Sequence, residues 1–189
     1  MPHRPALAIV LATALFGAGG VAAQPSQRPV GMAPILTSSP LALARCLWAA
    51  LPATTRARLV ASGPSIDDIG KAISNMNPAL MQLAQSQCPR ATNQTESAAK
   101  DAWAGTVMTN WAEGELNARY HVTPTALGQA WSRVPAATRR RIAAGFDETP
   151  EAVRGNVSAF AADLGLADPP ALDLLSAWAI AQLKLAALN

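Results

Sequence analysis

Prolines, many of them paired with a capping residue, cut this chain into short segments from Ser39 onward. That punctuation limits the fold more than any other feature. Ser39-Pro40, Asn77-Pro78, Thr123-Pro124 and Thr149-Pro150 each set a side-chain acceptor ahead of a proline. The acceptor satisfies a free N–H of the first helical turn, and proline suits the first helical position because it has no N–H to leave unpaired. Pro52, Gly63-Pro64, Pro135 and Pro169-Pro170 supply further breaks. Ser65 with Asp68, and Asn93 with Glu96, have the spacing of a capping box. These signals predict helices over 40–51, 52–61, 65–76, 78–88, 93–120, 124–134, 135–145, 150–164 and 169–189. Alanine is abundant, and no strand-like alternation of apolar and polar residues runs through these segments. The expected fold class is all-α.

The longest segment, 93–120, carries Trp103, Val107 and Trp111 as an apolar stripe flanked by Met108, Ala112 and Leu116. On either side of it the sequence repeats. Residues 48–61 read WAALPATTRARLVA and residues 131–144 read WSRVPAATRRRIAA, with seven of fourteen positions identical. The likeness resumes at Pro78-Ala79-Leu80 with Leu83, against Pro170-Ala171-Leu172 with Leu175. A unit this short cannot cover its own apolar face, and two copies are too few for an open solenoid. Units 40–88 and 124–188 are therefore expected to pack as one compact multi-helix bundle, braced by 93–120. The last segment is apolar around more than half its circumference, through Leu172, Leu174, Leu175, Trp178, Leu183, Leu185 and Leu188. Such a helix is either central in the core or part of an interface, a homo-oligomeric one included.

The first 23 residues read as a secretory signal peptide. Arg4 precedes an apolar run from Ala6 to Phe16, and Val21-Ala22-Ala23 supplies small residues at a cleavage position. The apolar stretch is shorter than the ~20 residues a membrane-spanning helix needs, so no transmembrane segment is expected after cleavage. Residues 24–39 then form a proline-containing lead-in, and 40–189 a single domain. Cys46 and Cys88 are the only cysteines. In an oxidising compartment an even pair is expected to bridge.

Beyond residue 23 the chain carries 14 basic and 12 acidic residues, a balance that gives no support for a nucleic-acid binder. His121 is the only histidine in that stretch, and no His/Glu cluster has ligand spacing, so no metal or cofactor is expected. No GxSxG, phosphate loop or haem-attachment motif occurs. Two candidate constellations remain. Arg139-Arg140-Arg141 form a basic cluster with Arg133, and Arg56 and Arg58 match Arg139 and Arg141 in the first copy. Cations in the first turns of a helix gain nothing from its dipole. Their presence in both copies points to an anionic ligand, such as a phosphate or an acidic glycan, or to a carboxylate partner. Asp147, Glu148 and Glu151 are the nearby carboxylates. The other constellation is Glu115, on the border of the tryptophan stripe, where an indole environment can raise a carboxyl pKa and make it a general acid. Arg119, four residues on, offers it an ordinary helix ion pair, and His121 at the helix end suits a C-terminal cap.

The expected function is that of an exported, periplasmic or secreted, non-enzymatic helical protein. It binds a protein partner or an anionic envelope component through Arg56, Arg58, Arg139 and Arg141. The alternative is a small envelope hydrolase using Glu115 with His121.

Overall fold

The capping residues act as their chemistry allows. Ser39 Oγ accepts the Ala42 N–H, Asn77 Oδ1 that of Ala79, and Thr123 Oγ1 that of Ala126. Ser65 and Asp68 form the reciprocal capping box. The computed structural model describes residues 39–91, 93–145 and 150–188, so residues 1–23, expected to be a signal peptide, residues 24–38, and Asp147, Glu148 and Thr149 lie outside the described residues. Among those described there are nine helices and no β-strand. They are α1 (Pro40–Ala50), α2 (Ala53–Val60), α3 (Ile66–Ser74), α4 (Pro78–Gln87), α5 (Glu96–Tyr120), α6 (Pro124–Arg133), α7 (Ala136–Gly145), α8 (Pro150–Ala162) and α9 (Pro169–Ala186). The chain is all-α.

One cap differs from the sequence expectation. The long helix starts at Glu96, not Asn93, and its N-cap is Thr95, whose hydroxyl accepts the Ala98 N–H at 3.2 Å. The Glu96 carboxylate turns forward to Lys100 at 2.7 Å instead of back to Asn93. That leaves Asn93 in the turn before the helix. At the far end His121 takes the left-handed conformation, φ 58°, and its N–H caps the Asn117 carbonyl. It is the only non-glycine with positive φ among the described residues.

At ~1.5 Å per residue, the 25 residues of α5 span about 37 Å. They form the axis on which α1, α2 and α9 pack. Around this axis α4 lies on α1, α3 on α2, and α7 and α8 on α9. The last helix belongs to the core. Leu174 and Leu175 are fully enclosed, and Trp178 stacks with Phe160 of α8 and meets Trp131 of α6 edge-on. Trp48, at the matching place in α1, packs against Trp103 of α5 instead. The first tryptophan thus leans on the axis and the second on α8 and α9. Polar ties hold the second half. Arg154 grips Asp173 with two nitrogens, Arg133 reaches Asp163 at 3.5 Å, and the Tyr120 hydroxyl donates to Asp168 at 2.8 Å. Burial, then the Asp168 bond, push the Tyr120 phenol above its ordinary 10.0.

Small residues set how closely helices approach α5. A Cβ on Gly114 would lie 2.0 Å from Val60 Cγ1, a short β-branched side chain with little freedom to move. Gly128, in α6, faces open space. Replacing a helical glycine with alanine gains about 0.8–1 kcal/mol of helix propensity, whereas overpacking costs about 1–3 kcal/mol. Gly128→Ala is therefore expected to raise the melting temperature, and Gly114→Ala to lower it. Parallel thermal melts check this. A stabilising Gly114→Ala would mean that α2 does not sit against α5 in this way.

Candidate functional site

The axis helix carries a second stripe, and it is polar. Thr106, Thr109, Asn110 and Glu113 follow the i, i+3, i+4, i+7 spacing of one helix face. This face lines a cleft of about 310 Å³. Leu41, Arg45 and Trp48 of α1 form one wall, and Gln182 and Leu185 of α9 the other. α1 and α9 both pack on α5, so the stripe lies in the groove between them.

Much of the hydrogen-bonding capacity of this lining is already used. Gln182 Nε2 donates to Thr109 Oγ1 at 3.1 Å, and Asn110 Nδ2 to the Thr106 carbonyl at 2.8 Å. Trp178 Nε1 donates to Glu113 Oε1 at 3.1 Å. What remains is specific. Thr106 is 7% exposed, and its hydroxyl oxygen is buried without a partner. A buried polar atom left unmatched costs about 1–3 kcal/mol. The guanidinium of Arg45 is exposed and has no ion pair among the described residues. The cleft therefore offers one cation, one half-engaged carboxylate, an orphan hydroxyl and an indole.

The arginines singled out in the sequence take different roles. Arg139 is fixed by the preceding helix. Its Nε donates to the Val134 carbonyl at 3.0 Å, and Nη2 to those of Trp131 at 2.8 Å and Ser132 at 3.3 Å. Its guanidinium lies 5.1 Å from the centre of the Trp131 ring. A cation at the start of α7 thus serves the C-terminal, electronegative end of α6. This is a third explanation for an arginine after the proline corner, besides a ligand or a carboxylate partner. Arg141 reaches Thr138 Oγ1 at 3.2 Å. Arg56, half-buried, and Arg58, exposed, form no ion pair among the described residues. Of the carboxylates weighed as partners, Asp147 and Glu148 lie outside the described residues, as does the side chain of Glu151.

Glu115 is 6% exposed and paired with Arg119, Nε to Oε2 at 2.6 Å. Through this hydrogen bond first, and its charge second, Glu115 holds the Arg119 guanidinium above its usual range. Glu115 does not line the cleft. His121 is the exposed cap residue at the end of the same helix.

Cys46 and Cys88 form a disulfide with α-carbons 5.9 Å apart, joining α1 to the C-cap of α4. Among the described residues no helix is long and apolar enough to cross a membrane. Nor do three or more His, Cys, Asp or Glu side chains group to hold a metal ion among them. None of the cleft residues was read from the sequence as part of a site. Their signal was the polar i, i+3, i+4, i+7 stripe, which becomes informative only once α5 is known to be covered on several sides. Comparison with known protein families, curated proteins and solved structures found no match to this chain.

Proposed function

We propose that this protein is exported and acts as a non-enzymatic binding protein for an anionic envelope component or a protein partner bearing such groups. The observation that carries this reading is a set of cationic side chains, Arg45, Arg56 and Arg58, with no ion-pair partner among the described residues. Arg141 completes the contact set, and Arg139 supports it by capping α6. The disulfide supports export, since such bridges persist in oxidising compartments. The signal-like start of the chain supports it independently. We read α1–α4 and α6–α9 as duplicated units, on the shared tryptophan, proline corner and arginines. The hydrolase alternative is weaker because Glu115 is paired with Arg119 and does not line the cleft.

The test uses the exported chain and isolated cell-wall sacculi. Arg56→Glu with Arg58→Glu should reduce co-sedimentation with sacculi at least fivefold, with an unchanged melting temperature. Arg139→Glu should lower stability by about 1.5–3 kcal/mol, the range for hydrogen bonds to a charged group. Binding that ignores the first pair would overturn the arginine reading. Release of soluble sugar that Glu115→Gln abolishes in a folded variant would restore the hydrolase.

A further inference from the structure

We infer that the cleft between α1, α5 and α9 binds a small zwitterion, a free amino acid or a short peptide with both termini charged. This rests on the reading of the chain as a binding protein and names a site that, of the arginines in that reading, only Arg45 lines. Arg45 and Glu113 line the same cleft without forming an ion pair with each other. Glu113 Oε1 accepts from Trp178, which leaves Oε2 for another donor. Asn110 and Gln182 spend amide N–H groups on Thr106 and Thr109, so their side-chain oxygens remain as acceptors. The Thr106 hydroxyl is buried at the wall and unmatched.

These leftovers define a complementary ligand. A carboxylate suits the guanidinium, which can engage both oxygens. An ammonium group brings three donors for the Glu113 carboxylate and the amide oxygens. A purely anionic ligand would meet Glu113 with no compensating charge. A neutral polyol could hydrogen-bond to Arg45 and Glu113 but would leave both charges without a counter-charge. Leu41, Leu185 and Trp48 supply apolar wall for a side chain. About 310 Å³ is at the small end of ligand sites, which limits the ligand to one or two residues.

Isothermal titration of the exported chain with the twenty common L-amino acids and with Ala-Ala tests this. Each is compared with its N-acetyl and C-amide forms. At least one free form should bind saturably, and each blocked form should bind at least tenfold more weakly. Arg45→Gln should erase the penalty for the amide form. Glu113→Gln, which keeps an oxygen for Trp178, should erase the penalty for the acetyl form. Thr106→Val should weaken binding without changing the far-ultraviolet circular dichroism. The inference is overturned if no free form binds, or if blocking either terminus changes nothing. It is also overturned if binding survives both charge-neutralising variants in folded protein. Sacculus binding that persists while the panel is silent would overturn this site and leave the broader binding reading standing. Silence in both assays would remove both.

Discussion

Trp111→Ala is expected to lower the folding free energy by about 3–5 kcal/mol, the range for emptying a buried aromatic site. Trp111 is 1% exposed in the middle of α5. Its ring fills the space between the axis and the helices on it, and its Nε1 donates to the Gly63 carbonyl at 2.8 Å. Gly63 sits in the turn between α2 and α3, so one side chain both packs the core and fixes a corner of the chain. Trp103 provides the control. It is also buried, but its Nε1 has no partner. Trp111→Phe should therefore lose a hydrogen bond, about 1 kcal/mol, beyond the packing loss. Trp103→Phe removes a polar atom that was never satisfied and should be milder. Denaturant unfolding of the three variants checks this. Equal effects from the two phenylalanine substitutions would mean that the Gly63 contact contributes nothing.

The second large effect belongs to the disulfide. Cys46 and Cys88 are separated by 42 residues, and closing a loop of that length restricts the unfolded chain by about 4 kcal/mol in the chain-entropy account. For a chain of this size, ~1 kcal/mol shifts the melting temperature by about 2–4 °C. Cys46→Ala with Cys88→Ala is thus expected to lower it by about 8–16 °C. The loss should be uneven. α4 rests on α1, and α3 on α2, whereas α9 lies along the axis itself. Hydrogen exchange in the bridge-free variant should rise first in α3 and α4. An unchanged melting temperature, or exchange rising first in α9, would contradict this account.

The helical punctuation was legible because it is local. A capping side chain and a proline act within one turn, so Ser39, Ser65, Asn77 and Thr123 could be assigned without knowing the fold. Asn93 shows the limit of this. Two acceptors lie within three residues, and the choice of Thr95 is coupled to Glu96 finding Lys100. The cysteine pairing was legible by count. The place of the last helix was not, because an apolar surface reads alike in a core and in an interface. The contacts of Trp178 with Phe160, Trp131 and Glu113 decide it, and they are up to 65 residues apart in sequence. Arg139 was visible as an oddity, a cation at the wrong end of its own helix. The carbonyls that explain it belong to the helix before. The cleft was least legible of all, since Arg45, Glu113 and Gln182 come from three helices that only the packing around α5 brings together.

The five tryptophans allow a direct test of where a ligand sits, because each indole N–H gives its own signal in a nitrogen-15 correlation spectrum. Titration with the tightest-binding amino acid should move Trp48, which lines the cleft, and Trp178, whose N–H is bonded to Glu113. Trp111, bonded to Gly63, and Trp131, beneath Arg139, should stay in place. Movement of Trp131 with Trp48 and Trp178 still would put the ligand at the arginine corner, and no movement of any indole would contradict a binding cleft on the axis helix.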